Sequence, residues 1–360
     1  METFLPDVER ALTGETGAAR TADLATIQST MSDGSGRGPY HILNANVVLA
    51  GAVERRWRLR GGDNFVFTRY HCGSCATGWI NTERFLGGRL TLATAMAISG
   101  AAANPNTGGG GVGLTRNRSV SLLMALLNLR LGYWCRSPRY GAGWFRPNHF
   151  IPGLVQAFGL HKEDSRFIEV SDGGHFDNLA LYELIRRRLK LIILCDGAAD
   201  PKFGFADLNT LRRRIAADFE ARISFDLGEG TPEDLIPNRL KALFPDGAGY
   251  ATDGDVAERG YLLARISYAD GSTGVLVYIK TTLVKDVSFG VKAYKGAHPD
   301  FPDETTADQF FDEEQFDAYR ELGNFLAGDM IRRTGLAAKL DKIASTGKWP
   351  APKSAAKRRA

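Results

Sequence analysis

Apolar residues recur along most of this chain with periods that name its elements. Residues 1–37 are the exception: apart from weak helical spacing at Val8, Leu12 and Leu24 they are polar and Gly/Ser/Thr-rich, and they read as a flexible polar leading segment. After Pro39 the pattern sharpens. Residues 41–49 (HILNANVVL) and 64–70 (NFVFTRY) have the β-branched and aromatic content of strands. Residues 91–103 are rich in alanine and stop at Asn104-Pro105, which predicts a closely packed helix ended by proline. Residues 119–131 place apolar side chains around most of a helical circumference, with Ser119 near the N-cap of a well-buried helix.

The stretch 166–196 is the most informative. RFIEVS (166–171) predicts a short strand, Asp172-Gly173-Gly174 breaks it, 178–188 has a helical apolar face at Leu181, Leu184 and Ile185, and KLIILC (190–195) is a nearly continuous apolar strand ending at Asp196. This is the order and length of a βαβ unit, and the unbroken LIIL run predicts a parallel strand covered on both faces. Asp172 and Asp196 would then sit at the carboxyl ends of neighbouring parallel strands, where open α/β sheets place ligands. Further on, 207–221 predicts a helix and 222–227 a strand. Residues 261–268 and 275–280 flank ADGSTG, a hairpin signal, and the acidic 301–321 carries Phe310, Phe311, Phe316 and Tyr319 at helical spacing.

Composition narrows the class. With 360 residues, 44% hydrophobic, 24% charged and only four cysteines, the chain is globular, neither collagen-like nor disulfide-knotted. The net charge of +4 is uneven: residues 331–360 hold nine Lys/Arg against the single acid Asp341, so the body is mildly acidic. That argues against a nucleic-acid-binding domain and leaves 326–360 as a basic, disordered tail able to meet an anionic membrane surface. Cys72 and Cys75 form a CxxC without a second pair to complete a zinc site; they read as free thiols, with a redox pair or metal site the less common alternative. No apolar signal region opens the chain and no stretch has the composition of a membrane span, which predicts a cytoplasmic or peripheral membrane location.

The residue with the clearest chemical use is Asp172. A carboxylate at a strand end followed by two glycines is open to another group, and the same pattern describes a turn aspartate that caps the next helix; the local sequence leaves both open. His175 is a possible acid/base whose position at a helix start is more often structural, and Asn178 is a natural N-cap. The run Gly108-Gly109-Gly110-Gly111-Val112-Gly113 follows an Asn-Pro break rather than a strand and reads as a connector, not a phosphate or oxyanion loop.

On these residues the chain resembles the patatin-like phospholipases, a family of lipid acyl hydrolases, especially bacterial members related to the cytosolic phospholipase A group. Residues 171–178 (SDGGHFDN) are similar to the family's DGG segment, and 97–105 (AISGAAANP) to the Ala/Ser-rich helix before it; 40–46, 63–78, 128–134, 191–200 and 307–322 follow in the family's order. The resemblance covers roughly residues 38–325. It implies a three-layer α/β fold with flanking helices, no cofactor and no metal, a lipid or phospholipid substrate, and a Ser-Asp dyad without histidine. In that dyad Asp172 would take the serine proton, with Gly173 and Gly174 forming the active-site loop.

The other half of the dyad does not carry over. Family members present the serine in a Gly-x-Ser-x-Gly turn preceded by a glycine-rich oxyanion loop. None of the chain's serines has glycine at both the −2 and +2 positions; Ser99 and Ser74 lie upstream of Asp172 but lack both glycines. The expectation is therefore the C-terminal part of a patatin-like catalytic domain, incomplete at its N-terminal side and inactive by itself. The alternative is a non-catalytic patatin-like fold that binds lipid, a membrane surface or a protein partner. A third reading, an α/β enzyme using Asp172, Asp196 and a metal, lacks a matching histidine cluster.

Overall fold

The computed structural model describes residues 40–102, 131–143, 150–158, 160–238, 256–305 and 310–350. The leading segment 1–37, the glycine run 108–113 and most of the helix expected at 119–131 lie outside them. The class is mixed α/β, and the chain divides into two compact units, residues 1–180 and 181–360.

The first unit is built on a six-stranded sheet in the order β4-β3-β2-β1-β6-β5. The strands are β1 (Ile42–Val48), β2 (Gly62–Thr68), β3 (His71–Ser74), β4 (Gly78–Asn81), β5 (Tyr133–Arg136) and β6 (Phe167–Asp172), and every pairing is antiparallel. A short helix α1 (Arg55–Arg60) joins β1 to β2. Helix α2 (Leu92–Ser99) starts where Thr91 accepts the Thr94 N–H at 3.0 Å, and ends before Gly100. Helix α3 (Phe150–Ala157) precedes β6, and a four-residue helix α4 (Gly174–Asp177) follows it. Ala45, Val47, Phe65, Phe67, Leu92, Ile98, Ile168 and Val170 meet in one apolar core, which fixes β1, β2, β6 and α2 together.

The second unit has a four-stranded sheet ordered β7-β10-β9-β8: β7 (Leu191–Asp196), β8 (Arg222–Ser224), β9 (Tyr261–Ser267) and β10 (Thr273–Lys280). The expected hairpin is β9–β10, turning at Asp270-Gly271 with the left-handed φ of 78° that favours glycine. Helices α5 (Tyr182–Arg186), α6 (Ala206–Phe219), α7 (Phe289–Ala297), α8 (Glu313–Thr334) and α9 (Leu336–Thr346) complete it. Helix α8 begins with Asp312 accepting the Gln315 N–H at 2.7 Å, places acids in its first turn and Arg332 and Arg333 in its last, as the helix dipole favours.

Four expectations are corrected. Strands β6 and β7 are not parallel neighbours: β6 lies between β1 and β5, while β7 pairs in parallel with β10. The LIIL run is a parallel strand, but its partner comes from the downstream hairpin, and one of its faces exposes Ile193 and Cys195. Residues 326–346 are not a structureless tail. Leu326, Met330, Leu336 and Ile343 are buried in the second unit's core, so apolar spacing outweighs the basic composition. Finally, the helix expected at 178–188 shrinks to Tyr182–Arg186, and Asn178 ends α4 rather than capping a helix start.

Candidate active site

Asp172 is the last residue of β6 and stands opposite Ala45 of β1. Its N–H donates to the Ala101 carbonyl at 3.3 Å, and the next amide, of Gly173, donates to the Ser99 carbonyl at 3.2 Å. These two bonds tie the end of β6 to the end of α2. The half-buried carboxylate then folds back on its own chain: Oδ1 accepts the Gly174 N–H at 2.6 Å. This is the Asx turn anticipated as one of the two uses of the residue. The glycines matter for space rather than for an unusual dihedral, since Gly173 has a helical φ of −61°. A Cβ on Gly173 would lie 2.6 Å from the Asn44 carbonyl oxygen, and one on Gly174 only 2.9 Å from Asn178 Oδ1.

Two asparagines of β1 and a buried serine complete the surroundings. Asn44 Nδ2 donates to the Asp177 carbonyl at 2.9 Å, and the Asn44 carbonyl accepts the Ser99 hydroxyl at 2.6 Å. Asn46 Nδ2 lies 3.4 Å from Ser171 Oγ, which in turn is 3.2 Å from Nδ1 of His175. Burial lowers the His175 pKa below the ordinary imidazole value, offset in part by the Asp172 charge and a bond to the Ala102 backbone, so the ring is neutral at pH 7. Ser171 is completely buried, which excludes attack on a ligand from solvent.

The serines proposed from sequence separate here. Ser99 is brought against the Asp172 turn through its carbonyl, with its hydroxyl committed to Asn44. Ser74 is not: it is buried in β3, where its Oγ pairs with Thr77 Oγ1 at 3.0 Å and accepts the Thr77 N–H at 3.1 Å, and β2 and β1 stand between β3 and β6. Among the described residues no hydroxyl donates to Asp172. Asp196 belongs to the other unit's sheet, where Tyr278 OH donates to Oδ2 at 2.5 Å, the Ala198 N–H to Oδ1 at 3.0 Å, and Lys280 Nζ lies 3.6 Å from Oδ1. That carboxylate is held by groups of its own unit.

Cys72 and Cys75 are not joined in a disulfide; Cys72 is buried with its Sγ 3.3 Å from Thr82 Oγ1, and Cys75 is exposed. Among the described residues no group of three or more His, Cys, Asp or Glu side chains is placed to hold a metal ion. Asn44, Asn46 and Ser171 were not singled out by sequence. The strand carries two amides at i and i+2 among apolar residues, but their use, like that of Ser171, follows only from the pairing of β1 with β6.

The fold and site together define an α/β protein with a carboxylate presented on a tight glycine turn at a strand end. No protein-family model matches the sequence, and no curated protein matches it. A solved structure similar to this chain is the human GIVD cytosolic phospholipase A2, with 14% identity and a TM-score of 0.47, covering 94% of this chain. The chain spans about half, 48%, of the length of that structure.

Proposed function

We propose that this chain supplies the proton-accepting aspartate of a lipid acyl-ester hydrolase, with Asp172 as the base and the attacking serine coming from another segment of the protein. The observation that carries it is the state of the carboxylate: one oxygen is fixed by the Gly174 amide at 2.6 Å, and no described hydroxyl occupies the other. A carboxylate so oriented needs no histidine to take a serine proton. The ordered resemblance of 171–178 and 97–105 to the patatin-like pattern supports the same assignment. Lipid or phospholipid is the substrate class, and contact with an anionic membrane surface falls to the basic C-terminal residues.

The test is to read the coding DNA immediately 5′ of the Met1 codon and, where it encodes an in-frame glycine-rich loop and Gly-x-Ser-x-Gly, to express the extended chain. Hydrolysis of a fatty-acyl ester by the extended chain, abolished by Asp172→Asn, is the expected result. Fluorophosphonate labelling of a serine in residues 1–360 alone, lost in Asp172→Asn, would overturn the division of the dyad.

A second reading has its own observation. Ser99 Oγ and Asp172 Oδ1 both satisfy backbone groups, as they would in a non-catalytic descendant that keeps the fold to bind lipid or protein. Liposome co-sedimentation that weakens with salt and vanishes on removal of residues 351–360, which carry Lys353, Lys357, Arg358 and Arg359 and whose loss leaves the buried Leu336 and Ile343 in place, without any hydrolysis by the extended chain, would favour it.

A further inference from the structure

A second candidate site lies in the second unit and is independent of the hydrolase reading. Helix α6 turns back at Glu220 into the short strand β8, and between helix and strand is an open cleft of about 420 Å³. Asn209, Arg212, Arg213 and Ala216 line it from one face of α6, at i, i+3, i+4 and i+7; Arg222 and Ser224, at i and i+2, line it from β8. Strand β8 is the last in its sheet. The lining residues thus include three arginines, an asparagine and a serine, and the Ser224 hydroxyl donates to Asp226 Oδ1 at 3.0 Å.

None of the three arginines has an acidic partner among the described residues. Arg213 Nη2 donates to Thr210 Oγ1 at 3.2 Å, and the Arg212 guanidinium lies over the Phe225 ring at 5.6 Å. Elsewhere in the unit surface arginines do find acids: Arg265 pairs with Asp226, Arg188 with Asp270 and Arg333 with Asp329. Three like charges around one cleft repel one another. An anion between them removes that repulsion, and guanidinium forks match the oxygens of a phosphate two at a time.

We infer that this cleft binds a phosphomonoester or diphosphate group, either on a lipid headgroup or on a free soluble molecule. The volume admits a phosphate with a substituent.

The experiment uses the full chain with two probes: inorganic pyrophosphate followed by titration calorimetry, and phosphatidylcholine vesicles containing phosphatidylinositol 4-phosphate, compared with phosphatidylserine vesicles of matched charge. Saturable pyrophosphate binding that falls about tenfold in Arg212→Gln or Arg222→Gln, with Arg84→Gln as an unaffected control, is expected. Selective sedimentation with phosphatidylinositol 4-phosphate, lost in the Arg212→Gln/Arg222→Gln double variant, assigns a lipid headgroup; pyrophosphate binding without vesicle binding assigns a soluble source. All three side chains are exposed, so an unchanged thermal melt is expected and confirms that the variants fold. Failure of both probes to bind, equal binding to phosphatidylserine, or binding untouched in the double variant overturns the proposal. Loss of ester hydrolysis in the extended chain would bear on Asp172 alone, so the two readings fail separately.

Discussion

The Ser99 carbonyl accepts the Gly173 amide hydrogen at 3.2 Å, so a helix end and a strand end meet at a single peptide contact beside the candidate base. The contact leaves no volume for a side chain, because a Cβ on Gly173 would lie 2.6 Å from one Asn44 atom and 2.8 Å from another. Gly173→Ala is therefore expected to push the turn off β1 and to destabilise the first unit by about 1–3 kcal/mol. A urea midpoint equal to wild type would show that the turn can move off β1 without cost.

Asp172 has a structural role that an amide can keep and a methyl cannot. In Asp172→Asn the side-chain oxygen still accepts from Gly174, and stability should stay within about 0.5 kcal/mol of wild type. Asp172→Ala loses that bond and should cost about 1 kcal/mol. Equal urea midpoints for the two variants would show that the bond to Gly174 adds nothing to stability.

His161 links the first unit's stability to pH. Its ring packs edge-on against Trp134 at 5.3 Å, and burial pushes its pKa down to about 4 from 6.5. Above pH 6.5 neither the folded nor the unfolded form is protonated there, so the residue contributes no pH dependence. As pH falls from 6.5 to 4, the unfolded chain takes up a proton that the folded one refuses, and about 3 kcal/mol of stability is lost. Urea unfolding at a series of pH values should show a flatter profile between 4 and 6.5 for His161→Phe than for wild type. Parallel profiles would assign the acid sensitivity to other groups.

In the second unit, Lys280 and Asp196 are both buried, with Nζ 3.6 Å from Oδ1 and a further bond from Nζ to the Ala198 carbonyl. Lys280→Met strands the carboxylate and should cost about 3–5 kcal/mol. The Lys280→Met/Asp196→Asn double variant should recover part of that loss, and a double-mutant cycle measures how much. A single-variant cost below about 1 kcal/mol would show that water reaches the pair.

Thiol chemistry should separate the CxxC residues. Burial pushes the Cys72 thiol up to about 11, whereas Cys75 and Cys195 are exposed. At pH 8 a maleimide should label Cys75 and Cys195 in the native protein and reach Cys72 and Cys135 only on unfolding. Rapid native labelling of Cys72, or a Cys72–Cys75 disulfide in mild oxidant, would restore the redox reading.

Where side chains state their own burial, the sequence was legible. The apolar runs of β1, β2, β6 and β7, the β9–β10 hairpin and the Thr91-started helix all appear within a few residues of expectation. What local pattern lacks is the identity of a neighbour. RFIEVS and KLIILC look like consecutive parallel strands, yet their partners are β1, β5 and β10, and nothing within either segment specifies that choice. Strands β3 and β4 were missed because four-residue strands containing Gly73 and Gly78 carry little β signal. At the site, Asp172 and its glycines were visible as a motif, while Asn44 and Ser171 acquire meaning only once β1 lies beside β6.

That pairing also sets an order of events during synthesis. The β1–β2 hairpin and the β2-β3-β4 meander close over short loops and can form early, but β1 meets β6 only across a long stretch of chain, as in the Asn46–Ser171 contact between residues 125 apart. Closing so large a loop is entropically costly and slow compared with a hairpin. One edge of β1, with Asn44 and Asn46, therefore stays unpaired on the ribosome until Asp172 has emerged, and a nascent chain stalled before that point would expose it to other strands.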